Sequence, residues 1–267
     1  MTGRRCAHKS IGSLIAVMIF CLSAATVCEG QMNDVDKGKT LQAARERYYN
    51  LRTLGLSDVH LAIQPNWDLL LEGTNPAPSA RTLLNNLHFW ISIDATDKLQ
   101  LSHDAKAVPV DQLEAIEKIF KGMNSSVTGF FRTWSIFLLS SPFPAPGSDY
   151  ALERRTNGFR FLQRQNDLDV AIDTDNEFAI TEIRAVAVDR ASSLKPILEK
   201  TPAGLVLKGY TASFQRPDGS NTTLQASLEY ETVSGLRMLH KVNLDTVFQG
   251  ASAKFEWVFA DYQVKLR

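Results

Sequence analysis

The stretch DQLEAIEKIFKGMNSSVTGFFRTWSIFLL, Asp111 to Leu139, decides how the rest of the chain must be arranged. In it Leu113, Ile116, Phe120, Met123, Val127, Phe130, Trp134 and Phe137 recur at spacings of three and four, which places them on one face of an α-helix. Asp111 followed by Glu114 resembles a capping box, in which each side chain reaches an unpaired backbone N–H at the helix start. Ile119, Phe131, Ile136, Leu138 and Leu139 widen the stripe, so the second half of the helix is apolar on most of its circumference and must be buried or meet something apolar. Gly122 and Asn124-Ser125-Ser126 are poor helix formers that offer a place for it to break in two. Pro142, Pro144 and Pro146 end it.

A surface for that stripe lies downstream, because Asp149 to Arg267 reads almost wholly as strands joined by tight turns. Tyr150 to Arg155 and Phe159 to Arg164 flank Asn157-Gly158, a dipeptide that accepts the positive φ angles of a two-residue hairpin turn. Leu168, Val170 and Ile172 alternate with polar or small residues, the two-residue period of a half-buried strand, and Phe178 to Asp189 returns past Asp175-Asn176. A short helix, Ser193 to Lys200, is expected next, with Pro196 tolerated in its first turn. Leu205 to Gln215, Leu224 to Thr232, Leu236 to Val247 and Ala253 to Leu266 complete the series. In the last of these Phe255, Trp257 and Phe259 share one face, after which Tyr262, Val264 and Leu266 take over with the opposite parity. That slip predicts a bulge at Ala260-Asp261.

Upstream, Leu41, Ala44, Tyr48 and Leu51 predict a first helix over Thr40 to Leu54, and Val59, Leu61 and Ile63 a strand that Pro65 stops. Trp67 to Glu72 and Ser79 to Asn86 each make a turn or two of helix on either side of Asn75-Pro76-Ala77-Pro78. Leu87, Phe89, Ile91 and Ile93, then Leu99 and Leu101, form a hairpin. About eleven strands are more than a flat twisted sheet holds before it curls or splits. The expected fold is therefore α+β and mainly antiparallel β. It is a curled, incompletely closed β-barrel of about eleven strands, with an N-terminal helix and the long apolar helix in or over its mouth.

The first thirty residues read differently. Arg4, Arg5 and Lys9 precede an apolar run from Ile11 to Leu22 and small residues from Ser23 to Ala25, the order of a secretory signal peptide. The run falls short of the roughly 20 residues that cross a bilayer as a helix. We therefore expect residues 1–30 to be a cleaved leader, cut after Ala25 or Gly30, and residues 31–267 a single exported, β-rich domain, periplasmic or extracellular and not an integral membrane protein. Cys28 follows Val27 and Cys21 follows Phe20, whereas lipidation needs a small residue there. All three cysteines lie in or beside the leader, so the domain has no internal disulfide. Lysines plus arginines balance aspartates plus glutamates at 29 each, and removing the leader leaves a slight acidic excess. That excludes the basic footprint of a nucleic-acid binder and of a polybasic membrane-surface protein.

No G-x-S-x-G elbow is present, and His60, His88, His103 and His240 are too scattered for metal-ligand spacing. Asp173-x-Asp175-x-Glu177 lacks the glycine and the distal glutamate of a calcium loop. Asp58, Asp68, Glu153 and Glu182 are the carboxylates that a hydrolase without a linear motif would draw on. Asn124-Ser125-Ser126 and Asn221-Thr222-Thr223 match the glycosylation acceptor pattern. The positive signal is aromatic: Trp90, Phe130, Phe131, Trp134, Phe137, Phe255 and Trp257 fall on elements that face one another in a curled sheet carrying a helix. They form either a plain core or the wall of an apolar cavity open to an acyl chain.

The layout as a whole, with Tyr48-Tyr49-Asn50-Leu51-Arg52-Thr53-Leu54 leading from helix to strand, Glu229-Tyr230-Glu231 to Leu236-Arg237-Met238-Leu239-His240-Lys241-Val242, and Phe259-Ala260-Asp261-Tyr262 near the end, resembles the periplasmic lipoprotein carriers of the LolA and LppX type. The resemblance runs in outline from Leu41 to Leu266. It implies an incomplete barrel with a helical lid and acyl chains in its hollow. The expected function is a non-enzymatic envelope carrier or binding protein for an acyl chain, lipid or lipoprotein, without catalytic residues, metal or cofactor. The alternative is an envelope interaction or assembly protein with a fully packed core and a protein partner. A hydrolase ranks last.

Overall fold

A computed structural model of the chain describes residues 34–72, 78–104, 113–165 and 167–267. The leader expected over residues 1–30, the Asp111 half of the capping box and Asn75-Pro76-Ala77 lie outside them. The chain runs α1 (Asp34–Glu46), β1 (Leu56–Pro65), α2 (Trp67–Leu70), α3 (Pro78–Asn85), β2 (His88–Ile93), β3 (Leu99–Asp104) and α4 (Leu113–Leu138). Nine strands follow: β4 (Ala151–Arg155), β5 (Gly158–Gln165), β6 (Leu168–Thr174), β7 (Ile180–Val186), β8 (Ala191–Thr201), β9 (Gly204–Gln215), β10 (Asn221–Val233), β11 (Leu236–Phe248) and β12 (Ala251–Leu266).

The twelve strands among the described residues belong to one antiparallel sheet, ordered β3-β2-β1-β12-β11-β10-β9-β8-β7-β6-β5-β4. It is open, with β3 and β4 as its two edges. The bulge expected in the last strand is present. His60 pairs with Gln263 and Ala62 with Ala260, so two residues of β12 oppose one of β1, and Asp261 takes a positive φ of 53°.

The helix α4 crosses one face of this sheet, called here the inner face. Phe120 meets His103 of β3 at 4.2 Å between ring centroids, Phe130 and Phe131 meet Trp257 and Phe259 of β12, and Thr133 lies beside the Tyr210 hydroxyl of β9. From β3 to β9 is six strand spacings, about 29 Å if the sheet were flat. Phe120 to Thr133 is about 20 Å of helix. The sheet therefore bends toward α4.

Three expectations need correcting, and one possibility left open, a break in α4, is not realised. The segment 193–200 is strand, not helix: β8 pairs with β9 from Ala191 to Thr201. Its pairing to β7 stops at Leu194, so Pro196 sits where only one side of the strand carries a ladder and its missing N–H is tolerated. The first helix runs earlier, Asp34–Glu46, because Arg47 and Tyr49 leave it to bond Leu205 of β9 (Leu205 N to Arg47 O 2.9 Å, Tyr49 N to Leu205 O 3.0 Å). Helix α4 is unbroken through Gly122 and Asn124-Ser125-Ser126. Burial of Ile116, Met123 and Val127 holds it where propensity is poor, whereas Leu113 and Ile136 of the widened stripe stay exposed. Finally, the β4–β5 hairpin pairs Arg155 with Gly158, so its two turn residues are Thr156 and Asn157.

Where β7 and β8 part, Tyr48 fills the gap. Its buried hydroxyl accepts from Ile180 N at 2.8 Å and donates to Phe178 O at 3.1 Å, replacing ladder bonds that β8 does not supply. Burial raises that hydroxyl's pKa well above the ordinary tyrosine value. Arg52 fastens the other end of the same segment, donating to the carbonyls of Leu56, Ser57 and Asp94 and to the Asp97 carboxylate, which joins the start of β1 to the β2–β3 turn.

Candidate functional site

Six of the seven aromatic residues singled out from the sequence lie on α4 or on the inner face, and five of those are fully packed. Phe130 meets Phe131 at 5.2 Å and Trp257 at 5.9 Å, and Phe131 meets Trp134 at 5.4 Å and Phe259 at 5.8 Å, all nearly edge to face. Phe137 is buried against Tyr48. Phe255 is half-buried at the margin, 6.2 Å from Trp257. Trp90 is on the other face of the sheet, because Phe89 and Ile91 on either side of it point inward. There it stacks on His60 at 5.3 Å, and His60 Nδ1 lies 2.8 Å from Ser92 Oγ.

Polar groups inside this core are few. The Trp134 indole N–H lies beside the Tyr230 hydroxyl without closing to a hydrogen bond, while Tyr230 donates to Leu207 O at 2.6 Å. Burial pushes the Tyr230 hydroxyl well above its usual pKa and that of Tyr210 up to about 12. Neither is available as an acid or base near neutral pH.

Past the aromatic cluster the inner face continues toward the far ends of β8–β12, where among the described residues no helix lies over it. Strand register places three rows abreast: Pro196, Tyr210, Ala226, Leu244 and Phe255; Leu194, Ala212, Leu224, Thr246 and Ala253; Ser192, Phe214, Thr222, Phe248 and Ala251. The first row is covered best. In the second, Leu194 and Leu224 are half-buried, and in the third Phe214 and Phe248 are 43% and 37% exposed. Ile183 extends the second row through its pairing with Leu194. Sequence reading missed Phe214 and Phe248. Each stands alone in its own strand, and only the register brings them into one patch.

The outer face is charged where the inner one is apolar. Asp173 accepts from Arg160 (2.5 and 2.9 Å) and from Arg184 (2.9 Å), next to Glu182, which takes the Ser193 hydroxyl at 2.7 Å. Burial pushes the Asp173 carboxyl up, but the two arginines outweigh it and hold the group below the ordinary carboxylate range. A carboxyl depressed by folding adds stability that is complete above its unfolded pKa, about 3.9, and is lost as pH falls through the folded value. Urea midpoints should thus fall steeply below about pH 4. Asp173→Asn should flatten that limb and lower the neutral-pH midpoint; an unchanged acid limb in the variant would show that Asp173 does not carry it.

The remaining acidic candidates are separately engaged. Asp58 takes the Ser57 hydroxyl at 2.6 Å, Asp68 pairs with Arg81 at 3.1 Å, and Glu153 pairs with Arg155 at 2.5 Å. In the Asp173-x-Asp175-x-Glu177 segment Asp175 caps its own turn through Glu177 N and Ala179 N, while Glu177 pairs with Lys200. Among the described residues no cluster of His, Cys, Asp and Glu is placed to hold a metal ion, and no helix is long and apolar enough to cross a membrane. No protein-family model, curated protein or solved structure matches the chain.

Proposed function

We propose that this is an exported carrier or binding protein of the cell envelope that holds an acyl chain or another apolar ligand on the inner face of its curled sheet, beside α4. The observation that carries the reading is the partly exposed apolar patch around Phe214 and Phe248, the latter with the Arg216 guanidinium 4.9 Å from its ring centre, backed by Leu194, Leu224, Ile183 and Phe255. Single exposed apolar side chains are common on any protein, whereas a cluster of them on one bent surface favours a binding site. The ligand site thereby moves from the tightly packed space under Phe130, Phe131, Trp134 and Trp257 to the open end of the same face. In this reading Phe255 borders both, and the helix acts as a wall for the ligand. The resemblance to LolA and LppX carriers suggests the same ligand class.

Native mass spectrometry of protein purified from its own host, followed by organic extraction, should find a co-purifying lipid. The double variant Phe214→Ser, Phe248→Ser should bind a fluorescent fatty acid at least about tenfold more weakly per folded molecule, from lost apolar contact. An empty wild-type protein that ignores fluorescent fatty acids would end the proposal. The packed aromatic core supports a second reading, an envelope assembly protein that docks through the same patch. Cross-linking in the host that captures a stoichiometric protein partner, with no lipid, would favour it.

A further inference from the structure

A groove of about 860 Å³ lies between α1 and the segment that follows α4, with Tyr48 in its lining. Arg45 and Ser141 bring polar donors to it, Leu41, Pro146 and Tyr150 apolar surface. Arg45 is half-buried. Through Nη1 alone it donates to Phe143 O at 3.3 Å and Pro144 O at 2.8 Å. A guanidinium carries five N–H donors, so three remain on Nε and Nη2, and neither nitrogen is among the buried atoms left without a partner. These donors are therefore open to solvent, and Arg45 is one of the residues that line the groove. Among the described residues no carboxylate pairs with Arg45, and burial, the cause acting on its pKa, shifts it down from the ordinary value. The acidic residue on the rim, Glu46, is engaged by Gln42 Nε2 at 2.7 Å. Ser141 Oγ accepts from Phe143 N at 3.3 Å and keeps its own proton to donate.

A partly desolvated cation costs free energy unless an anion meets it, and an arginine fork suits the paired oxygens of a carboxylate or phosphate. We infer that this groove is a binding site for a small organic anion, whose carboxylate or phosphate oxygens are held by Arg45 and Ser141 and whose apolar body lies on Leu41, Pro146 and Tyr150. The site is independent of the patch at Phe214 and Phe248, and each can fail without the other.

The test is a titration of the full chain followed through the Arg45 Nε–Hε signal in nitrogen-15 NMR. The probes are sodium hexanoate, hexyl phosphate and, as the uncharged control, 1-hexanol. Hexanoate or hexyl phosphate should shift that signal saturably, hexanol should not, and the tighter of the two anions names the head group. Followed in the variants through the Ser141 backbone amide, Arg45→Gln should weaken binding at least about tenfold, with Arg45→Lys between the two, since a lysine keeps the charge but loses the fork. The wild-type titration stands even if a variant loosens the segment at Phe143. Absence of a saturable shift with either anion, or an equal one with hexanol, overturns the inference.

Discussion

Trp134→Ala is expected to destabilise the protein by about 3 to 5 kcal/mol, the cost of emptying a large aromatic site in a core that cannot collapse onto it. Trp134 is 1% exposed, and its ring is braced edge-on by Phe131, which in turn rests on Phe130 and Phe259. For a domain of this size the loss corresponds to a melting point about 6 to 20 °C lower. Its indole N–H contributes little to that figure, because it makes no hydrogen bond. The functional part of the prediction is the opposite of what a cavity wall would give. Per folded molecule, uptake of a fluorescent fatty acid should be unchanged, whereas the Phe214 and Phe248 double variant should lose uptake even per folded molecule. If Trp134→Ala instead abolished uptake at nearly unaltered urea midpoint, the ligand would lie under α4 and the open patch would be incidental.

What could be read in the sequence follows from how local each signal is. The stripe of α4 is local, and Ile116, Met123, Val127, Phe130, Trp134 and Phe137 are all buried as its spacing demands. The slip of parity in the last strand is local too, and marks a real bulge. Trp90 does not join the other six aromatic residues, and the alternation of Phe89 and Ile91 puts it on the opposite face. The segment 193–200 could not be read in isolation. Its conformation is decided by β9, which pairs with it along its whole length. The end of α1 is not a local property either, since Leu205, more than 150 residues away, draws Arg47 and Tyr49 out of the helix. Nothing in the sequence near Arg45 announces a groove. The donors there converge only because the segment after α4 turns back over α1 and offers its carbonyls to Arg45.

Gly158→Ala should cost about 2 to 6 kcal/mol, combining backbone strain with overpacking, each of which typically runs to a few kcal/mol. Gly158 opens β5 with a φ of 152°, in the region that side chains avoid, at the point where the two-residue turn re-enters the sheet. A methyl group there would overlap the Thr174 carbonyl oxygen and come within 2.8 Å of the Asp175 carbonyl carbon, and both are backbone atoms that cannot rotate aside. Relief requires β5 and β6 to separate where Phe159 pairs with Thr174. That disturbs the stack of Phe159 on Phe178 at 4.9 Å and the Arg154 guanidinium over the Phe159 ring at 4.4 Å. Because β4 is an edge strand, the damage has a way out that spares the rest of the sheet: β4 and the start of β5 can open together. Hydrogen exchange should therefore quicken across β4, β5 and β6 far more than across β1 and β12, whose pairing lies at the other end of the sheet. A variant with wild-type exchange in β5 and an unmoved melting point would mean that the hairpin does not press on Thr174 in solution.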